Sequence, residues 1–188
     1  MNRRKALLIL ASALPLAGCI QPHTTGSITA SVPASGGGYV LSTGDKLRII
    51  VFGQDTLSNI YQVDASGRIT MPLIGAVSVG GLSTAEAGGA IEAKLRVGYI
   101  REPKVTVEID TYRPFFILGE VTTSGQFPFV NGMTVQTAVA IAGGFTPRAQ
   151  RSYAEVTRRT ARGNQTAEVP ITYAVRPGDT IVIKERWF

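Results

Sequence analysis

The strongest constraint on this chain is its punctuation. Short runs that alternate apolar and polar residues, such as "KVTVEID" and "DTIVIKE", are closed off every few residues by glycine or proline, of which there are 21 and 10. Alternation with period two puts one face of a strand into a core, and frequent turns keep those strands short. Only two stretches break the rhythm with helical spacing. The sequence therefore predicts an α+β chain of two small strand-rich modules with one helix each. At 44% hydrophobic and 17% charged it has the composition of a folded protein.

Strands are expected over Lys46–Phe52 and Lys104–Asp110. "IYQVDASGRITMPLIG" reads as two strands around a reversal made by Asp64, Ser66 and Gly67. Ser83 followed by Glu86 is a capping box, so a helix should start at Thr84 and bury Ile91 and Leu95. Gly88 and Gly89 weaken that helix unless another backbone approaches there. Tyr112-Arg113-Pro114 reads as the joint between modules. Beyond it, "FFILGEV" and "QFPFV" are strands around "TTSG". A second helix is capped by Thr134 and ended by Gly143-Gly144. "SYAEVTRR" and "TAEVPI" form a hairpin around "TARGNQ", and "DTIVIKERWF" is the closing strand.

The N-terminus reads differently. "MNRRK" precedes the apolar "ALLILASALPLA", which is too short to span a bilayer and reads as a secretory signal. It ends at Leu16-Ala17-Gly18-Cys19, which resembles the lipobox of bacterial lipoproteins. The resemblance implies cleavage before Cys19, acylation of Cys19 as the membrane anchor, and, since Ile20 rather than aspartate follows, sorting to the outer membrane facing the periplasm. Residues 1–18 are thus the expected signal peptide and 19–38 a flexible, charge-poor tether that holds the single histidine, His23. Arg3, Arg4 and Lys5 all lie in the signal, so its removal lowers the formal charge from +6 to +3. That is too little and too dispersed for nucleic acid.

One eleven-residue stretch recurs. Tyr39 to Ile49 aligns without gaps to Tyr173 to Ile183, each passing through a Gly-Asp turn, Gly44-Asp45 and Gly178-Asp179, into a strand. Asp45 and Asp179 read either as a pair of catalytic carboxylates or as the same backbone-anchoring turn used twice. A Ser-His-Asp arrangement lacks its histidine, and clustered metal ligands and phosphate-binding loops are missing from the sequence. No cofactor, no metal and no enzymatic activity are expected. Arg148, Arg151, Arg158, Arg159 and Arg162 gather around the last hairpin. They make either one positive surface, for a neighbouring subunit or an anionic ligand, or an ordinary solvated hairpin.

From Tyr39 onward the chain resembles the polysaccharide export family, the Wza-type outer-membrane export lipoproteins. The resemblance rests on "YVLSTGDKLRIIVFG", on "D-x-x-G-x-I-x-x-P-x-x-G" with Gly67, Pro72 and Gly75, and on the Thr/Ala/Glu-rich helix. "FFILGEVTTSGQFPFVNGMTVQTAVAIAGGFT" resembles the soluble-ligand-binding β-grasp (SLBB) motif, including Gly119, Gly125, Phe127, Gly143 and Gly144. The resemblance implies an export domain over 39–111 and an SLBB domain over 112–188. It also implies a homo-oligomeric periplasmic ring or adaptor for capsular polysaccharide or exopolysaccharide. The expected partners are an inner-membrane copolymerase and a separate outer-membrane channel. Long members add a membrane-spanning C-terminal helix, whereas here "TIVIKE" is followed only by "RWF", so this chain is not expected to span the membrane itself. A tethered glycan-binding protein that retains polymer at the cell surface is the alternative.

Overall fold

A computed structural model describes residues 38–160 and 163–187. Cys19, His23, the signal, most of the tether and Arg162 lie outside the described residues. Two hydrophobic clusters, one drawn from Leu41 to Val107 and one from Phe115 to Ile183, form the cores of two α+β modules.

In the first module, β1 (Lys46–Val51) is flanked by β2 (Asn59–Gln62) and β5 (Val105–Thr111), both antiparallel to it. The alternation of β1 sends Leu47, Ile49 and Val51 inward. β3 (Arg68–Met71) and β4 (Gly75–Ser78) make a separate hairpin that buries Ile69, Met71 and Val77. Here the structure corrects the expectation of one hairpin over residues 60–75. The reversal at Asp64 exists: its side chain accepts from Ser66 N (2.8 Å) and Arg68 N (2.9 Å). Yet it joins strands of different sheets, because β2 takes β1 as its partner and β3 takes β4. Leu73, at φ 67°, lies in the tight β3–β4 connection.

α1 (Thr84–Arg96) starts at the predicted capping box, with Ser83 N donating to Glu86 Oε2 at 2.8 Å. Ala87, Ile91 and Leu95 recur every four residues and are fully buried. Gly88 is buried facing β5, where an added Cβ would meet Val105 O at 3.4 Å, an ordinary contact; at Gly89 it would meet nothing within 4 Å. A close backbone approach is therefore not what the glycine pair provides.

In the second module five strands run in the order β7-β6-β10-β8-β9. They are β6 (Phe115–Gly119), β7 (Gly125–Phe127), β8 (Tyr153–Thr160), β9 (Gly163–Pro170) and β10 (Thr180–Ile183). β6 and β10 run parallel, and Phe115, Ile117, Ile181 and Ile183 point into the core. α2 (Val135–Ile141) contributes Val135, Ala138 and Val139, with Thr134 as its N-cap. β7 stops at Phe127, because Pro128 has no N–H to continue the ladder. β8 and β9 pair as far as Thr160 and Gly163, so this hairpin is longer than expected. Among the described residues no helix is long and apolar enough to cross a membrane.

Candidate functional site

The two copies of the recurring stretch fold into the same device at the joint between modules. In each copy the backbone N–H three residues before the aspartate donates to its Oδ2 at 2.8 Å, from Ser42 to Asp45 and from Arg176 to Asp179. In each, the aspartate N–H returns to that residue's carbonyl at 3.1 Å. Both carboxylates are buried, and each is met by a tyrosine-linked arginine from elsewhere in the chain. A buried carboxylate is stable only when paired and hydrogen-bonded, and these are.

The pairings differ in quality. Arg158, from β8, grips Asp179 with two nitrogens, Nε to Oδ1 at 2.9 Å and Nη2 to Oδ2 at 2.7 Å. Its Nη1 donates to the Tyr173 hydroxyl at 3.1 Å, and its guanidinium lies 5.4 Å from that ring's centroid. Burial opposes the Arg158 charge, but Asp179 and Tyr173 outweigh it and hold its pKa above the usual value. Around Asp45, the Tyr39 hydroxyl donates at 2.7 Å and Arg113 N at 3.0 Å, while Arg113 Nη1 stands at 3.4 Å. Burial, then the hydrogen bond to Asp45, pushes the Tyr39 phenol well above its ordinary pKa. With their acceptor positions taken up in this way, both aspartates anchor turns, the second of the two readings open from sequence.

Arg113 also wedges between the turns. A Cβ on Gly178, at φ 82°, would lie 2.6 Å from Arg113 Nε, and one on Gly44 would lie 3.4 Å from Arg113 Cβ. Gly178 N donates to Pro114 O at 3.0 Å, so the second turn is fastened to the linker between modules.

Above this joint lies an open cleft of about 480 Å³. One wall is aromatic: Tyr39 and Tyr112 meet edge to face at 5.0 Å, and Tyr112 and Phe129 at 5.4 Å. Arg113, Arg159 and Arg176 also line the cleft, together with Asn131, Met133 and Pro177. Sequence reasoning singled out the Gly-Asp turns and placed Arg113 at a joint, but it missed the aromatic wall and Arg176. A tyrosine six residues before each aspartate signalled the tyrosine–arginine contacts, Tyr39 with Arg113 and Tyr173 with Arg158, but nothing local marked Tyr112, Phe129 or Arg176.

The structure divides the arginine group. Because strand neighbours face opposite ways, Arg158 turns in to Asp179 and Arg159 turns out to the cleft. Arg148 pairs with Glu185 beside a different hollow, lined also by Arg186 and Trp187. Arg151 is exposed. Of the family-motif positions, Gly67, Gly75, Gly143 and Gly144 have positive φ at turns. Pro72 O accepts from Ile74 N in the β3–β4 connection, and Phe127 stacks on Phe115 at 6.0 Å. Gly125 starts β7. Gly119 is the most constrained, since an added Cβ would fall 2.1 Å from Ile183 O.

Residues 33–110 match the family model for polysaccharide biosynthesis/export protein, and residues 114–169 match the SLBB domain. The exopolysaccharide production protein ExoF of Rhizobium meliloti (strain 1021) is 33% identical over 118 residues, covering 56% of this chain and 28% of that protein. The polysialic acid transport protein KpsD of Escherichia coli is 26% identical over 129 residues, covering 68% of this chain and 23% of that protein. The chain thus aligns to about a quarter of the length of these curated relatives. With the two models matched in tandem on either side of the Arg113 joint, the chain carries a polysaccharide biosynthesis/export domain followed by an SLBB domain.

Proposed function

We propose that this protein is a non-enzymatic part of an apparatus that exports exopolysaccharide or capsular polysaccharide across a cell envelope. The observation that carries the reading is the export domain followed directly by an SLBB domain, matched in one chain whose relatives are named for polymer production and transport. In this reading Cys19 is the lipidated anchor, and the folded modules hang from the outer membrane into the periplasm on the 19–38 tether. Copies of the chain associate side by side as a ring or adaptor between an inner-membrane copolymerase and an outer-membrane channel. The Arg113 joint suits that work, because it fastens the two modules to each other, Arg113 Nη1 bonding to Tyr39 on one side and Gly178 N to Pro114 O on the other.

Deletion of the gene tests the proposal. Secreted polymer should disappear from the medium and return with a plasmid copy. Undiminished secretion in the deletion strain would overturn it.

A further inference from the structure

We propose that the cleft at the module joint binds a carboxylate-bearing sugar unit of the polymer, an inference that rests on the export reading above. Its lining holds three arginines, Arg113, Arg159 and Arg176, and neither aspartate nor glutamate. Arg113 is committed to Asp45 and Tyr39 through Nη1. Arg159 and Arg176 are exposed, and their side chains have no ion pair or hydrogen bond among the described residues. The cleft therefore presents an uncompensated positive charge, in the side chain whose planar fork matches a carboxylate in a bidentate pair.

The same cleft is lined by Tyr39, Tyr112 and Phe129, each half-buried and held edge to face by its neighbour, with the Arg113 guanidinium 5.8 Å from the Tyr39 ring centroid. Rings fixed in this way give an apolar surface at little entropic cost and suit the C–H faces of a sugar. At about 480 Å³ the cleft is within the size range of ligand sites, and it is open to solvent, as a passing polymer requires. An acidic saccharide satisfies both groups of side chains at once: its ring lies on the aromatics and its carboxylate meets the arginines.

The test is titration calorimetry of the full-length protein in detergent with trigalacturonate and, separately, with maltotriose. Trigalacturonate should bind and maltotriose should not. The double variant Arg159→Gln/Arg176→Gln should weaken trigalacturonate binding at least tenfold, about 1.4 kcal/mol, with an unchanged melting temperature, since neither side chain has a partner to lose. Absence of trigalacturonate binding, equal binding of maltotriose, or binding unaffected by the double variant would overturn the assignment. Failure of the titration while gene deletion still abolishes secretion removes the cleft assignment alone. Secretion that survives deletion removes the export reading, whatever the titration gives.

Discussion

Replacing Arg158 with methionine should be among the most damaging single changes outside the apolar cores. The guanidinium supplies two of the three hydrogen bonds that reach the Asp179 carboxylate, leaving only Arg176 N at 2.8 Å. Asp179 is 1% exposed, so water cannot replace what is lost. Breaking a buried pair in this way costs roughly 3–5 kcal/mol, a large part of the ~5–15 kcal/mol that holds a typical domain folded. The matched change in the other copy, Arg113→Met, should cost much less. Asp45 keeps the Tyr39 hydroxyl, Ser42 N and the backbone N–H of residue 113; what goes is the 3.4 Å contact to Asp45 and the 2.9 Å hydrogen bond from Arg113 Nη1 to the Tyr39 hydroxyl. That loss is worth about 1–2 kcal/mol. Urea unfolding followed by far-UV circular dichroism measures both. Adding Asp179→Asn to Arg158→Met should recover part of the stability, because the unpaired buried charge is then gone. A loss from Arg113→Met equal to or larger than that from Arg158→Met would refute this account of the two turns.

Gly119→Ala should destabilise by more than about 2 kcal/mol in the same assay, because its Cβ would strike Ile183 O in the parallel β6–β10 pair. Gly89→Ala should stabilise by up to about 1 kcal/mol, read as a rise in melting temperature of a few degrees, because the position is helical and open; a fall would mean that the face is already covered. The Ser83 N–H, then the Ser83 hydroxyl, hold the Glu86 carboxyl below its usual pKa. Its contribution is therefore complete above the unfolded value of about 4.3 and is lost as pH falls through the lower folded value. Glu86→Gln should flatten the acid side of the stability profile, and an unchanged slope would sink that assignment.

What could be read from the sequence was local. The Ser83–Glu86 box and the Thr134 cap act within one helical turn, and the alternation of β1 and β5 records one buried face; all of these appear in the structure. Partner choice did not show. Nothing near Asp64 says that β2 will pair backward with β1, or that β3 will wait for β4. The parallel pairing of Phe116 with Thr180 joins residues far apart in sequence. The site was legible by halves for the same reason. Asp45 and Asp179 stood out because their turns are local and repeated, whereas Arg113 reaches Asp45 across 68 positions and Arg158 reaches Asp179 across 21. The five clustered arginines looked alike in the chain. Strand alternation then turned Arg158 inward and Arg159 outward, and the fold gave Arg148 to Glu185.

The most direct test of the export role follows newly made polymer in living cells. In a strain lacking this gene, pulse-labelled polysaccharide should stop reaching the medium and should accumulate in the periplasmic fraction. The wild-type gene on a plasmid should restore its release. Label that leaves deletion cells at the parental rate would contradict the account and favour a protein that only holds finished polymer at the surface.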